Sequence, residues 1–195
     1  RNAAGKSTLF RILSGITRPE RGYAHADGRV APLIEVTAGF VPDLTGAENL
    51  RLSAAILGLS RREIAKRYDA IVAFAGVAEF VETPLRYYSS GMQARLGFSI
   101  AAHVDADIVL VDEVLAVGDI DFQKRCLDKM SELNKNGATI VFVSHDLHAV
   151  EQTCPRVLWL DEGRVQRDGP TADVLREYVA AAASDGAPQA PRGTP

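Results

Sequence analysis

The chain begins with the stretch Arg1-Asn2-Ala3-Ala4-Gly5-Lys6-Ser7-Thr8, which decides the fold. It matches the phosphate-loop pattern G-x-x-x-x-G-K-S/T except for the leading glycine, so we expect that glycine and the strand that feeds the loop to precede Arg1. Consecutive backbone amides at a helix N-terminus form an electropositive cradle for phosphate oxygens. The segment 9–15 has the pattern of a helix stopped by Gly15, which is the context that the loop requires.

This loop predicts a nucleoside triphosphate site. Lys6 would reach the terminal phosphates, and the hydroxyl of Ser7 would bind a magnesium ion. The alternative is a chance Gly-Lys-Ser in a solvated loop. The predicted nucleotide contacts in this stretch are Asn2, Ala3, Ala4, Gly5, Lys6, Ser7 and Thr8.

Composition limits the classes of protein that fit. The 195 residues, 47% of them hydrophobic, suffice for one sizeable α/β domain. A formal net charge of −3 argues against a mainly electrostatic nucleic-acid binder. Cys126 and Cys154 are too few for a disulfide framework, which indicates a reducing cytosol. Because no apolar run is long enough to span a bilayer, we expect a membrane role to come through a partner.

Strand and helix patterns alternate along most of the chain. Short extended segments are predicted at 23–25 and 30–34, and buried strands at 108–111, 139–144 and 157–160. Helices are predicted at 90–103, 119–136, 147–153 and 172–182. This alternation predicts an α/β fold with a mostly parallel sheet and helices on its faces. Two capping boxes, which begin at Thr45 and Ser60, start the helices of an inserted helical subdomain.

Acidic residues follow the strand at 108–111. Asp112 and Glu113 would lie at the carboxyl edge of the parallel sheet, the edge that the phosphate loop also faces. Asp112 would hold magnesium, and Glu113 would act as the general base that orients the attacking water. His145 follows the next strand and would contact a γ-phosphate. The alternatives are an ordinary acidic turn and a structural histidine.

A second anion-binding position is predicted at Ser89-Ser90-Gly91-Met92-Gln93, at the start of a helix. One phosphate site needs no second cradle so far away in sequence, whereas two copies of the chain arranged head to tail would each complete the other's site. An ordinary N-cap for this helix is the alternative.

Taken together, the order and spacing of these motifs resemble an ABC-type ATPase subunit of the P-loop NTPase fold. The resemblance covers residues 1–182 and implies a core at 1–44 and 104–182 with a helical subdomain at about 45–103. The Pro/Gly/Ala-rich composition of the remaining residues predicts a disordered tail at 183–195. It also implies a head-to-tail homodimer that encloses two ATP molecules with Mg²⁺ and drives a polytopic membrane permease.

Several stretches resemble ATPases of polysaccharide and teichoic-acid exporters, among them Pro32-Leu33-Ile34-Glu35, Leu44-Thr45-Gly46-Ala47-Glu48-Asn49 and the run from Asp112 to Asp119. Glu35 lies near the place where most such ATPases carry a γ-phosphate-sensing glutamine, and a carboxylate there could bind magnesium or order water. Asp119 would belong to the loop that communicates between copies. Met92 departs from the general Gly-Gly pattern and matches this subfamily.

We therefore predict an ATPase subunit for export of a lipid-linked polysaccharide, such as O-antigen, capsule or teichoic acid. It would lie on the cytoplasmic face of the cytoplasmic membrane, held there by its permease, without a nucleic-acid partner. The groove flanked by Phe40 and Pro42 is the expected docking surface, with packing of the helical subdomain as the alternative. Two other functions remain open: a P-loop kinase, and a non-transport ABC ATPase with a mechanical or regulatory role.

Overall fold

The computed structural model describes residues 4–34, 36–112, 118–144 and 146–185, which form seven α-helices and five β-strands. The helices are α1 (Lys6–Leu13), α2 (Gly46–Ile56), α3 (Arg61–Ala75), α4 (Ser90–Ala101), α5 (Ile120–Lys135), α6 (Leu147–Thr153) and α7 (Thr171–Asp185). The strands are β1 (Val30–Leu33), β2 (Ile108–Asp112), β3 (Thr139–Val143), β4 (Arg156–Asp161) and β5 (Arg164–Pro170). Two 3₁₀ turns lie at Ala78–Phe80 and Leu85–Tyr87.

The chain divides into two compact units, residues 9–143 and residues 1–8 with 144–195. In the first unit, β1, β2 and β3 form a parallel sheet with β2 in the centre. Its strands alternate with helices, and Val109 and Val111 of β2 are fully buried. The predicted parallel sheet is therefore confirmed for these three strands.

Helices α2 and α3 begin at the two predicted capping boxes. The hydroxyl of Thr45 accepts a hydrogen bond from the Glu48 amide (3.2 Å), and the Glu48 carboxylate accepts one from the Thr45 amide (2.8 Å). Ser60 and Glu63 repeat the arrangement. Two hydrogen bonds that the Glu48 carboxylate accepts, first that from the Thr45 amide and then that from the Thr45 hydroxyl (3.0 Å), lower the pKa of the Glu48 carboxyl. Each box satisfies amides that the helix itself leaves without acceptors.

Helix α4 lies between two hydrophobic cores of the same unit. Its Leu96 and Ile100 pack into a core formed with α2 and α3, while Phe98 packs into a core formed with the parallel sheet and α5. All six residues from Leu96 to Ala101 are buried. Because the C-terminal half of α4 is covered on every side, that half has little freedom to shift by itself.

In the other unit, β4 and β5 form an antiparallel hairpin, with a register shift between Trp159 and Leu160. Helix α7 packs on this hairpin, and the Tyr178 ring meets the Trp159 ring edge-on at a centroid distance of 5.4 Å. We expected the strand at 157–160 to continue the parallel sheet, but its partner among the described residues is β5. The turn Asp161-Glu162-Gly163 is short enough to bring β5 back beside it.

One predicted extended segment and one helix end differ from the prediction. No strand forms at 23–25, where Tyr23 is 93% exposed and therefore has little packing to hold it in a sheet. Helix α7 continues to Asp185, into the segment expected to be disordered. The division into a core and an inserted helical subdomain stays a prediction.

Candidate functional site

The described part of the phosphate loop, residues 4–8, turns into helix α1 at a glycine. Gly5 has a φ of +94°, a conformation that other residues rarely adopt, and α1 begins at the next residue. The first amides of a helix have no acceptor within it, so this turn places N–H donors where a phosphate cradle needs them. Ser7 and Thr8 are exposed, and Lys6 is half-buried. Asn2 and Ala3 lie outside the described residues.

The β4–β5 hairpin supports this loop. The amide of Gly163 donates a hydrogen bond to the carbonyl of Ala4 (3.0 Å), and Ala4 is buried. A Cβ atom at Gly5 would lie 3.5 Å from the Gly163 Cα, which is an ordinary contact, so the positive φ rather than crowding requires glycine. Sequence reasoning assigned Gly163 only to a turn and missed this contact, because its partner is at the opposite end of the chain.

Asp112 is the last residue of β2 and pairs in register with Val143, the last residue of β3. Its half-buried carboxylate therefore lies at the carboxyl edge of the parallel sheet, as predicted from the strand pattern. Glu113, His145 and Glu35, which were predicted to act beside it, lie outside the described residues.

The N-terminus of α4 is built by Ser89 rather than by Ser90. The hydroxyl of Ser89 accepts a hydrogen bond from the amide of Met92 (3.2 Å), so Ser89 is the N-cap. Ser90 is the first helical residue, and both serines are exposed. The helix end is thus an ordinary N-cap that faces solvent, and the anion-binding role of this motif stays a prediction.

The rest of the motif holds this helix end in place. The side-chain amide of Gln93 donates to the carbonyl of Leu85 (3.2 Å), within the 3₁₀ turn that precedes the motif. Met92 packs against the core of α2 and α3. The predicted contact of this motif with a nucleotide would therefore be made by backbone amides and by Ser89, Ser90 and Gly91, rather than by the side chains of Met92 and Gln93.

Asp119 caps helix α5 and also contacts helix α4. One carboxylate oxygen accepts a hydrogen bond from the amide of Phe122 (2.8 Å), and the other lies 3.4 Å from Nη1 of Arg95. Arg95 is a residue that sequence reasoning missed. Its signal was an arginine within an otherwise apolar stretch of α4.

Helix α4 also approaches the loop that follows β1. A Cβ atom at Gly97 would lie 2.3 Å from the carbonyl oxygen of Val36, so only glycine lets the helix and this backbone come so close. Val36 is the neighbour in sequence of Glu35. The contact brings α4 against the segment for which a phosphate-sensing residue was predicted.

The backbone of the loop at residues 41–45 is held by the side chain of Asn49, which is fully buried. The Asn49 side-chain nitrogen donates to the carbonyls of Val41, Leu44 and Thr45, each at 3.0 Å, and its oxygen accepts from the Val41 amide at 2.7 Å. Pro42 is exposed on this loop, whereas Phe40 packs partly against the core of α2 and α3. Part of the Phe40 side chain is thus buried against this core, whereas the exposed residues 41–43 remain available to a partner.

Two kinds of feature are absent from the residues that the structure describes. No group of three or more His, Cys, Asp or Glu side chains is arranged there to hold a metal ion. No helix in the described ranges is long and apolar enough to cross a membrane.

Comparisons with known proteins place the chain in a family. A family model described as ABC transporter matches residues 1–116. The O-antigen export system ATP-binding protein RfbB of Klebsiella pneumoniae is 44% identical over 183 residues, which are 94% of this chain and 74% of that protein. The chain belongs to the ABC transporter family. The prediction of an ABC-type, nucleotide-binding ATPase is therefore confirmed.

Other ABC transporter proteins show the same similarity. The teichoic acids export ATP-binding protein TagH of Levilactobacillus brevis is 46% identical over 177 residues, covering 91% of this chain and 49% of that protein. Among solved structures, an ATP-binding subunit of an ABC transporter is similar with a TM-score of 0.78 and 28% identity, covering 92% of this chain and 79% of that one. The dimeric ABC transporter cassette MJ0796 gives a TM-score of 0.70 at 22% identity over 86% of this chain and 81% of that chain, which shows the shared fold. The predicted P-loop fold class of ABC ATPases is confirmed.

Proposed function

We propose that this chain is the ATP-binding and ATP-hydrolysing subunit of an exporter that moves a lipid-linked polysaccharide across the cytoplasmic membrane. The observation that carries the proposal is the exposed, capped N-terminus of α4, a helix end of the kind at which proteins bind anions, in a chain that already has a phosphate loop. The names of its relatives, O-antigen and teichoic acid export ATP-binding proteins, support the class of substrate.

Hydrolysis in this proposal depends on residues of the phosphate loop and on residues that follow the strands of the parallel sheet in sequence. The amides at residues 3–7 and the ammonium of Lys6 hold the phosphates. Glu113 polarises the attacking water, and His145 contacts the γ-phosphate. Glu35 orders water or contributes an oxygen ligand to magnesium.

The two residues proposed as magnesium ligands have suitable donor chemistry. Ser7 has an exposed hydroxyl on the first turn of α1, and Asp112 has a half-buried carboxylate at a strand end. Both are hard oxygen donors, which Mg²⁺ prefers. When bound, the ion neutralises charge that develops on the phosphate oxygens during transfer to water.

A second copy of the chain completes the site in this proposal. The first turn of α4, with Ser89, Ser90 and Gly91, would contact the γ-phosphate that the other copy's phosphate loop holds. Asp119 would face the other copy as well, and its neighbour Ile120 is 84% exposed although it is a large apolar residue. A dimer interface at Asp119 would remove the apolar side chain of Ile120 from water.

The permease would dock beside the loop at residues 41–45, whose backbone Asn49 holds in one conformation. This attachment would keep the subunit on the cytoplasmic face of the membrane. Co-purification of the full-length protein with a polytopic membrane protein, and stimulation of its ATPase by lipid-linked polysaccharide, supports export. An ATPase that purifies with no membrane protein would instead indicate a non-transport role.

The decisive variant is Glu113→Gln in the full-length protein. Loss of the general base should abolish turnover while binding remains, so ATP should trap a dimer. The measurements are phosphate release and light scattering with and without ATP. Glu79→Gln, which changes an exposed carboxylate in the first 3₁₀ turn, is the control and should keep parental turnover. Parental turnover by Glu113→Gln would overturn the assignment.

A further inference from the structure

Arg95 joins three elements of the 9–143 unit through one side chain. Its Nε donates to the carbonyl of Ala75 and its Nη2 to the carbonyl of Gly76, both at 2.9 Å. Its Nη1 lies 3.4 Å from the carboxylate of Asp119, and the guanidinium lies 5.7 Å from the ring centroid of Phe122. The side chain is only 21% exposed. Helix α4 is thereby linked to the end of α3 and to the start of α5.

A guanidinium suits this position for physical reasons. The last carbonyls of a helix have no donors within it, and Arg95 supplies donors to two of them at the end of α3. The guanidinium carries five N–H donors in a rigid plane and stays charged at every relevant pH. With Nε and Nη2 bound to these carbonyls, Nη1 remains to contact the Asp119 carboxylate. With two arms fixed by α3, the position of the arm toward Asp119 is set in advance.

Asp119 uses its two oxygens for different purposes. One caps α5 and the other meets Arg95, so the backbone at the start of α5 is tied to α4. Arg95 lies on the same helix as Ser90, in the second turn. A displacement of the start of α4 would therefore carry Asp119 with it.

We propose that Arg95 is a positioning residue that holds Asp119 in fixed register with the N-terminus of α4. This inference rests on the proposed function, in which both elements face the nucleotide held by a second copy. Arg95 touches neither ATP nor water in this role. It acts by presenting the first turn of α4 and Asp119 together, so both reach the partner's site at the same moment.

Arg125 provides a matched control. Its Nη1 donates to the carbonyl of Phe74 at 3.0 Å, next to the carbonyls that Arg95 binds. It also lies over the Phe122 ring, at 5.3 Å from the centroid. Arg125 belongs to α5, however, and none of its contacts in the described residues reaches α4. Its loss should cost stability without separating Asp119 from α4.

The test compares Arg95→Gln, Arg125→Gln and Asp119→Asn in the full-length protein. Asparagine caps a helix as well as aspartate, so Asp119→Asn weakens chiefly the contact with Arg95. We expect Arg95→Gln to lower kcat about tenfold with a much smaller change in KM, because positioning fails after ATP has bound. Combining Asp119→Asn with Arg95→Gln should lower kcat little further, since both remove one link. Arg125→Gln should keep kcat near the parental value.

A second readout separates positioning from folding. In the Glu113→Gln background, Arg95→Gln should weaken ATP-dependent dimerisation, whereas Arg125→Gln should not. Equal losses from both arginine variants in step with their unfolding midpoints, or independent effects of Arg95→Gln and Asp119→Asn on kcat, would overturn the proposal. If the parental protein hydrolyses ATP and Arg95→Gln keeps its kcat, only this inference fails. If the parental protein hydrolyses no ATP, the proposed function fails with it.

Discussion

At Gly97, helix α4 and the backbone of Val36 approach so closely that a methyl group does not fit between them. A Cβ atom there would lie 2.3 Å from the Val36 carbonyl oxygen and 2.8 Å from its carbonyl carbon. Neither neighbour is the end of a flexible side chain, so relief requires a backbone to move. The contact makes this glycine a determinant of how α4 meets the loop after β1.

We predict that Gly97→Ala destabilises the protein by about 2 kcal/mol. Alanine favours helix by up to about 1 kcal/mol over glycine, but forcing atoms into a packed site costs about 1–3 kcal/mol, and the clash here is severe. Urea unfolding followed by circular dichroism measures the difference.

Gly91→Ala in the same helix is the control for this prediction. A Cβ atom at Gly91 meets only the hydroxyl of Ser89, at 3.9 Å, so this variant should be as stable as the parent or slightly more stable. The steric explanation is wrong if Gly97→Ala proves as stable as Gly91→Ala.

The sequence predicted best those residues whose chemistry is local. The turn at Gly5 and the start of α1 follow from one short pattern, and α4 begins at the predicted Ser90, although its N-cap is Ser89. Arg95 could not be found in this way, because its partners Ala75, Gly76 and Asp119 are separated from it by 19 to 24 residues. Only the folded packing of α3, α4 and α5 makes that arginine informative.

Between β1 and α2, the loop at residues 41–45 depends on a single buried amide. Three carbonyl oxygens face the side-chain nitrogen of Asn49, and one amide faces its oxygen. Every polar group of the side chain is therefore used. Replacing the side-chain nitrogen of Asn49 with an acceptor would leave several of these carbonyl groups without a hydrogen-bond donor at once.

We predict that Asn49→Asp destabilises the protein by about 3 kcal/mol at neutral pH. The substitution places a carboxylate oxygen against three carbonyl oxygens at a position that is fully buried, so the charge loses its hydration and meets like partial charges. Protonation of the new carboxyl removes that charge, so the loss relative to the parent should shrink as the pH falls. Urea unfolding at several pH values measures it.

Asn134→Asp serves as the matched surface substitution. Asn134 is exposed and its side chain donates to one carbonyl, that of Ala138, at 3.1 Å. Water can replace that bond, so the change should have little effect. Equal losses from the two Asn→Asp variants would contradict the role assigned to Asn49.

Elements that carry their own signals were predicted almost to the residue. The helices after Thr45 and Ser60 begin where the capping boxes placed them, and α6 spans the expected residues 147–153. Strand pairing was less predictable, since β4 could join either a parallel sheet or a hairpin by its own pattern. The choice depends on the turn at Glu162, which adopts a φ of +46°. No local propensity anticipates that conformation.

The reactivity of the Cys126 thiol measures opening of the core of the 9–143 unit. It is 1% exposed in the core shared by the sheet, α4 and α5, and burial raises the pKa of its thiol to about 12. Reaction therefore requires both opening of the core and deprotonation of the thiol.

We predict that native Cys126 reacts with a maleimide more slowly than a free thiol by a factor on the order of 10³ or more, because only unfolding exposes it. Mass spectrometry of timed samples gives the rate. The Cys154→Ser variant leaves Cys126 as the single cysteine and removes the half-buried competitor. Fast labelling of that variant under native conditions would show that the core opens locally.

The hydrogen bond from Gly163 to Ala4 has a consequence for protein synthesis. The phosphate loop leaves the ribosome before the hairpin that supports its buried carbonyl. A nascent chain therefore carries an unsupported phosphate loop until Gly163 has been made, since contacts between distant residues form only once both exist. A polypeptide interrupted before Gly163 therefore lacks the hydrogen bond that supports the loop at Ala4.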